Sequence, residues 1–458
     1  MPKSRPTLHF LGATETVTGS RTVLRRNALN ILVDCGLFQG FKSLRLRNRA
    51  PFPVPPESLD AVVLTHAHLD HSGWLPRLIQ EGYSGRVHAS AGTIDLCGIL
   101  LPDSGHIQEE EAARANRHGY TKHRPARPLY TEAEARAALE HLQPLAFDSP
   151  QELAPGASVE LHRAGHILGA SMVRLHTAGL DVLFSGDLGR PDDPILGSPA
   201  RVRRADYLVL ESTYGDRIHP ARDPEGALGD IIRRAADRGG HIIVPAFAVG
   251  RTQRLLYHLR RLREAGAIPP LPIYLDSPLA RDATSIFRER IADHNLSSFE
   301  CHAVCSTAKI VRSADESRAL GDLQSPAIII AGSGMATGGR VLHHIARFGP
   351  EPQHTILFTG FQSGGTRGEQ LVNGARAVKI YGQIVPIRAH IEQLDMLSAH
   401  ADADEILQWL RGFEAPPRTT FLQHGDPAAT DALRRRIEQE LGWQCHVPYH
   451  LEEVPLTV

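Results

Sequence analysis

Nowhere in the 458 residues does a window approach 18 uninterrupted apolar positions, so the sequence predicts no membrane-spanning helix. The N-terminus, Met1-Pro2-Lys3-Ser4-Arg5-Pro6, lacks the apolar core of a secretory signal, and the expected compartment is the cytoplasm. Cysteine is scarce and odd in number: Cys35, Cys97, Cys301, Cys305 and Cys445. Only Cys301 and Cys305 lie close together, and a lone C-x3-C is weak as a metal knuckle, so five reduced, buried thiols are expected. Lysine is nearly missing too. Of the 50 cationic residues only Lys3, Lys42, Lys122, Lys309 and Lys379 are lysine. Arg forks suit phosphate, but a compositional bias gives the same ratio, so the imbalance decides nothing. With a formal net charge of -1, any polyanionic partner must be met by a local patch and not by global attraction.

What the chain does carry is histidine, 25 residues against 14 Phe and 9 Tyr. Its hydrophobic share of 42% and charged share of 22% fit a globular protein, and its length allows two or three domains. Histidine is densest in Thr65-His66-Ala67-His68-Leu69-Asp70-His71, directly after the apolar run Ala61-Val62-Val63-Leu64. This reads as a strand ending in a loop with three imidazoles and a carboxylate. Such ligands suit a borderline divalent ion like Zn²⁺. Alternating His also occurs on ordinary strands, but here the polar groups follow a buried-looking strand, where loops carry function.

The same rhythm recurs along the chain. Thr16–Ser20 enters a strand, and Ile31–Val33 forms another that ends in Asp34-Cys35-Gly36, where Asp34 can cap a turn or orient a neighbouring ligand. Ser72–Ile79 continues the His loop as a helix. Polar helices over 108–114 and 131–139, the second with a capping box at Thr131 and Glu134, form an excursion beside the core. Strands return at 158–161, at 164–170 with His166, at 181–184 before Asp187, and at 207–210 before Glu211. From about 216 to 390, helices near 225–238 and 251–265 alternate with apolar strands at 241–245, 273–275, 326–331 and 355–358. That alternation implies a second, α/β domain with a mostly parallel sheet covered on both faces. The final stretch brings Leu397–Asp402 before a helix, and a strand from Thr420 that ends at His424.

These strand-end residues can be gathered into one site: His66, His68, His166 and Asp187 on a first metal, with Asp70, His71 and His424 on a second. Asp187 can bridge the two, because a carboxylate has two oxygens. A pair of ions ~3.5–4 Å apart clamps both oxygens of a phosphoryl displacement and lowers the pKa of bound water toward ~7. This grouping is an expectation from ligand type and position; spacing does not show that residues a hundred positions apart meet.

The series His66-x-His68-x-Asp70-His71, His166 and Asp187 resembles the motifs of the metallo-β-lactamase fold. Glu211-Ser212-Thr213-Tyr214-Gly215, Ser398-Ala399-His400-Ala401-Asp402 and Leu422-Gln423-His424-Gly425 resemble the three extra motifs of its β-CASP branch, which contains RNA-processing nucleases. The resemblance covers essentially the whole chain. It implies an α/β architecture, an αββα sandwich with an inserted β-CASP domain: residues 1–215 and 395–458 for the sandwich and 216–394 for the insertion. It implies two Zn²⁺ per chain on the ligand sets above, Asp187 in the catalytic centre, His400 as general acid on the leaving oxygen, Glu211 as its orienting partner and Asp34 as support for the ligands. A His at the third extra motif, His424 here, is typical of RNA-cleaving members and so implies RNA; the expected activity is cleavage of single-stranded RNA to 5′-phosphate and 3′-hydroxyl ends. A second copy of the chain is a candidate partner.

The run Ala331–Arg340 follows an apolar strand and is misregistered for a dinucleotide fingerprint. Amides at a helix start bind phosphate, and the resemblance implies RNA-backbone contacts at Ser333, Gly334, Gly338, Gly339 and Arg340. Gly360, Gly364, Gly365, Thr366 and Arg367 resemble a second loop of that domain; tight turns alone would also ask for glycine. His390 is expected on the strand re-entering the sandwich, and Arg434-Arg435-Arg436 on an exposed helical face. Competing readings are a small-molecule hydrolase of the same fold, a DNA nuclease, and an inactive scaffold. The first does not need the long insertion, and the last would lack ligands that are all present.

Overall fold

Apolar residues at alternate strand positions set the architecture of the unit that contains both chain ends. Leu8 and Phe10, Val173 and Leu175, and Val182 and Phe184 are buried on their strands and meet in one core, because side chains two apart share a strand face. The computed structural model describes residues 5–119, 123–177, 179–220, 223–360, 362 and 364–457. The start of the chain, Met1–Ser4, lies outside them.

The chain divides into two compact units, Met1–Ile218 with His400–Val458, and His219–Ala399. In the first, two seven-stranded sheets face each other across the shared core. One runs Glu452–Pro455, Thr7–Phe10, Thr22–Arg26, Leu29–Val33, Ala61–Val63, Val87–Ser90 and Leu142–Leu145. The other runs Cys445–His446, Thr419–Gln423, Tyr207–Glu211, Leu180–Phe184, Ser171–Thr177, Ala157–Arg163 and Gln151–Ala154. In each, strands adjacent in space run parallel where the site-bearing loops leave them: Leu29–Val33 beside Ala61–Val63, and Leu180–Phe184 beside Tyr207–Glu211 beside Thr419–Gln423. Parallel neighbours put their C-terminal ends, and the loops that follow, at one edge.

The second unit holds a six-stranded sheet in the order Lys309–Ile310, Ile273–Asp276, Ile328–Ala331, Ile242–Pro245, Thr355–Phe358 and His390–Gln393, with every pairing parallel. Near-continuous apolar strands such as Ile328–Ala331, buried at all four positions, are what a doubly covered parallel sheet requires. A separate antiparallel hairpin joins Ala377–Ile380 to Gln383–Pro386.

Several expected elements differ. The 164–170 segment is no strand: Gly165 and Gly169 adopt φ of 72° and 78°, and the strand begins only at Ser171. Thr16–Ser20 is a series of bends ahead of Thr22–Arg26. The helix expected over 72–79 is broken into Leu69–Ser72 and Leu75–Gln80. The polar helix at 108–114 is the end of a 28-residue helix, Ala91–His118, whereas the capping box of Thr131 and Glu134 forms as read. His390 sits on the edge strand of the second unit's sheet and not on a strand of the sandwich. That unit extends further still, because the buried Arg254 donates to the carbonyls of Leu397 and Ser398. Cys35, Cys97 and Cys301 are buried, but Cys305 and Cys445 are partly exposed; all five are free. Arg434, Arg435 and Arg436 lie on Pro427–Leu441, paired with Asp431, Glu438, Glu440 and Asp404.

Candidate metal centre

His66 and His68 leave the end of Ala61–Val63 in an extended loop, and His68 begins the single turn Leu69–Ser72 that carries Asp70 and His71. His71 and Ser72 return their amides to the His68 carbonyl, which fixes the turn. Cα of Gly36 packs so closely on this turn that a Cβ there would stand 1.6 Å from the Asp70 carbonyl oxygen, so only glycine fits. The opposite sheet supplies His166 from the 164–170 turn, Asp187 after Leu180–Phe184, and His424 after Thr419–Gln423, the last at φ 55°. Ser171 joins the two sides by donating both its amide and its hydroxyl to the Thr65 carbonyl at 2.9 Å.

The side chains converge in two sets. In the first, His68 Nδ1 stands 3.1 Å from His66 Nε2 and 3.3 Å from His166 Nε2, and both of those Nε2 atoms lie 3.5 Å from Asp187 Oδ2. In the second, His71 Nε2 stands 3.0 Å from His424 Nε2, and His424 Nε2 is 3.4 Å from Asp70 Oδ2. Asp187 turns its other oxygen, Oδ1, to this set, 3.3 Å from His71 Nε2 and 3.4 Å from His424 Nδ1. The carboxylate thus spans both.

Whether these groups fit a metal ion can be judged from their pairing. Among the described residues Asp187 Oδ1, the oxygen turned to the second set, is buried without a hydrogen-bond partner, a costly state for a polar atom in an interior. Imidazole nitrogens 3.0–3.3 Å apart cannot all be joined by protons while the rings stay neutral. A tetrahedral ion with metal–nitrogen bonds of ~2.0–2.1 Å separates its ligand atoms by about 3.3 Å, the spacing found here. The donor set fits.

Electrostatics point the same way. Burial, reinforced by neighbouring imidazoles, pushes His66 and His166 well below the ordinary imidazole range, and burial brings His68 down to about 4. Neutral rings keep lone pairs available for a cation. Burial would raise Asp187 and Asp70, but the surrounding imidazoles outweigh it and hold both carboxyls ionised. His71 behaves differently: burial lowers it, yet Asp187 and Asp34 together raise it well above its usual value. Two carboxylates flanking one ring demand a positive charge, which a proton meets when no metal does.

Around the ligands lies a shell of hydrogen-bonded carboxylates and hydroxyls. Asp34, at φ 61°, accepts from the Thr65 amide at 2.8 Å, from the Thr65 and Ser20 hydroxyls at 3.0 Å, and contacts His71 Nδ1 at 2.7 Å. This holds His71 with Nε2 turned inward. His400 follows at the edge: its Nδ1 lies 3.3 Å from Glu211 Oε1 and 4.0 Å from Asp187 Oδ2, and its ring is 4.4 Å from that of His166. Glu211 is itself buried and accepts the Leu188 amide at 2.6 Å.

Four contributors were not singled out by sequence reasoning. Thr65 and Ser20 position Asp34; Thr213 approaches His424 Nδ1 at 3.1 Å; and Tyr214 stacks on His400 at 5.9 Å. The last two stand inside the Glu211–Gly215 run and were readable there. The buried Arg21, whose guanidinium donates twice to the Gly36 carbonyl and lies 4.3 Å from the Trp74 ring, carried no signal.

The glycine-rich run in the second unit looks different from a free phosphate cradle. The amides of Thr337 and Gly338 already donate to Ser333 Oγ at 3.0 and 3.3 Å, and Arg340 is paired with Asp276 at 2.7 Å. Gly334 lies against the Phe247 ring, and Gly339, at φ 72°, packs on the Gly332 carbonyl. Arg367 ties the second loop to the first by donating to the Ala336 and Thr337 carbonyls, while Thr366 caps Arg367–Val372.

Comparison with known proteins gives the same class. Residues 17–93 match the metallo-beta-lactamase superfamily, 252–371 the Beta-Casp domain, and 384–448 the Zn-dependent metallo-hydrolase RNA specificity domain. The chain belongs to the β-CASP family of metallo-β-lactamase-fold proteins and is a metal-dependent hydrolase. It is 36% identical to Ribonuclease TTHA0252 of Thermus thermophilus over 93% of this chain and 94% of that one. It is 29% identical to the transcription termination factor FttA of Methanosarcina mazei over 97% of this chain and 71% of that one. A crystal structure of a protein of unknown function from Enterococcus faecalis V583 superposes with a TM-score of 0.55 at 13% identity, covering 99% and 100% of the two chains; it bears on the fold alone.

Proposed function

We propose that the protein is a dizinc ribonuclease that hydrolyses phosphodiester bonds of single-stranded RNA, as an endonuclease, a 5′→3′ exonuclease or both, leaving 5′-phosphate and 3′-hydroxyl ends. The observation that carries this reading is the single buried carboxylate, Asp187, offering one oxygen to each of two imidazole sets. The matched RNA specificity domain and the ribonuclease among its relatives support RNA as the substrate. His66, His68, His166 and Asp187 would hold one zinc ion, and Asp70, His71, His424 and Asp187 the other. Bound there, the pair would supply Lewis acidity at the phosphoryl oxygens and a water of lowered pKa.

The chain's own residues do the rest. Asp34 keeps His71 oriented through Nδ1, and His66, His71, His166, Asp187 and His424 are buried while His68 and Asp70 form the partly exposed side of the cluster. As the imidazolium, His400 hydrogen-bonds Glu211 through its Nδ1–H and gives its Nε2 proton to the departing 3′ oxygen, ending as the neutral ring. Imidazole suits the task because it exchanges protons near neutral pH.

Replacing His400 with Ala is expected to leave metal content at the wild-type level while cleavage of single-stranded RNA falls ~10²–10⁴-fold. Unchanged cleavage would remove His400 as the acid. RNA labelled at its 5′ end, with DNA of the same sequence as control, separates the modes: released mononucleotide marks exonuclease action, internal fragments endonuclease action.

A further inference from the structure

The second unit contains a groove of about 890 Å³ that the metal chemistry does not use. One wall is the helix Pro278–Glu289, on which Arg281, Ser285 and Arg288 share a face at i, i+4 and i+7, while Ala280, Ala283 and Phe287 are buried. The other wall is the edge strand Lys309–Ile310, which among the described residues pairs only with Ile273–Asp276, together with Arg312 beyond it. Tyr274, Leu320 and Leu323 supply apolar surface between the walls.

The charges lining this groove are unbalanced. Arg281 is neutralised by Asp282 at 2.6 Å, and Glu316 is committed to the Arg312 backbone amide at 2.8 Å. Arg288, Lys309 and Arg312 point into the same groove with no acidic partner for their side chains among the described residues. Three such cations are notable in a chain whose other exposed arginines are so often paired and whose net charge is -1. One of them, Lys309, is among the few lysines of the sequence.

An isolated anion would satisfy the cations but leave the apolar length between them exposed. A single nucleic-acid strand offers both halves of the match, phosphates for Arg and Lys and flat base faces for a tyrosine ring. A duplex offers the phosphates but keeps its base faces stacked inside. We infer that this groove is an RNA-anchoring site, separate from the metal centre, that holds a single-stranded segment of the substrate by its phosphates and stacks a base on Tyr274. The choice of RNA rests on the ribonuclease reading; the choice of a single strand rests on the groove.

The test uses the full-length, metal-loaded protein and a fluorescent phosphorothioate oligouridylate, with binding read by anisotropy over a salt series. In R288A/K309A/R312A the slope of log affinity against log salt should become shallower by about 2, at ~0.7 per phosphate contact of a single strand, with affinity at physiological salt down at least ~10-fold. R288K/K309R/R312K should keep the wild-type slope. A wild-type slope in the alanine variant overturns the site, and so does a loss that the charge-preserving variant shares. Failure of the ribonuclease reading shows separately, as a wild-type protein that cleaves no RNA; single-stranded DNA lost in parallel by the alanine variant would then still support a strand-binding groove.

Discussion

Each unit of the molecule buries an aspartate among histidine and other polar groups at the end of a parallel strand, and the two aspartates are treated in opposite ways. Asp276 closes Ile273–Asp276 in the second unit and accepts from the Ser317 hydroxyl at 2.5 Å, Arg340 Nη1 at 2.7 Å and His344 Nε2 at 2.7 Å. Both of its oxygens are met by protein donors, and those hydrogen bonds outweigh burial to keep its carboxyl below the usual range. Asp187, in the first unit, faces imidazole nitrogens at 3.3–3.5 Å, and among the described residues its Oδ1 has no hydrogen-bond partner. Histidine content does not separate the two places, since the second unit also buries His241, His344 and His354. What separates them is donor supply. A carboxylate with both oxygens met by donors is finished by the protein; one with an unpartnered oxygen among imidazole nitrogens is chemically suited to a cation.

That contrast can be broken by mutation, and the largest effect is expected at Asp187. Asp187→Asn removes the oxygen charge shared by both ligand sets, and cleavage should fall by at least ~10³-fold, below what loss of a single positioned donor costs. A variant retaining a tenth of wild-type cleavage, measured on labelled RNA, would show that the bridge is dispensable. Asp34→Asn should act more gently, because it disturbs only the orientation of His71: ~10–100-fold weaker metal affinity in a competition titration with a chromophoric chelator. Wild-type affinity there would leave Asp34 a turn residue and nothing more. The smallest effect belongs to the finished carboxylate. Asp276→Asn should cost ~1–3 kcal/mol in denaturant unfolding, as buried donors lose their charged acceptor, with no change in metal bound per chain. A drop in metal content would contradict the division between the two aspartates.

Much of the candidate site was readable from the chain because several of its residues follow an apolar run that a parallel strand must contain. His66, Asp187 and His424 all obey that rule, and the αββα architecture places such ends together. His166 obeys it only in part: the segment around it looked like a strand, and two glycines at positive φ turned it into a loop. Spacing could not reveal that Asp187 divides its oxygens between the two sets, because that depends on a side-chain rotation set by packing. The place of His390 was less readable, since His390–Gln393 joins the parallel sheet of the second unit through a register that only tertiary pairing defines. The Ser333–Arg340 run shows the limit of motif reading most clearly. Its glycines predicted open amides, and the Ser333 hydroxyl, one atom of an ordinary side chain, takes two of them. Arg21 was invisible for the opposite reason: a buried arginine among Phe38 and Trp74 has no pattern, only neighbours.

The claim that unmatched ligand atoms define a two-ion centre is tested most directly by stripping the purified wild-type protein with a chelator and titrating it with zinc by calorimetry. Two equivalents bound per chain, reduced in Asp187→Asn, is the predicted result. A wild-type protein that binds no zinc, or one whose stoichiometry is indifferent to Asp187, would contradict the account.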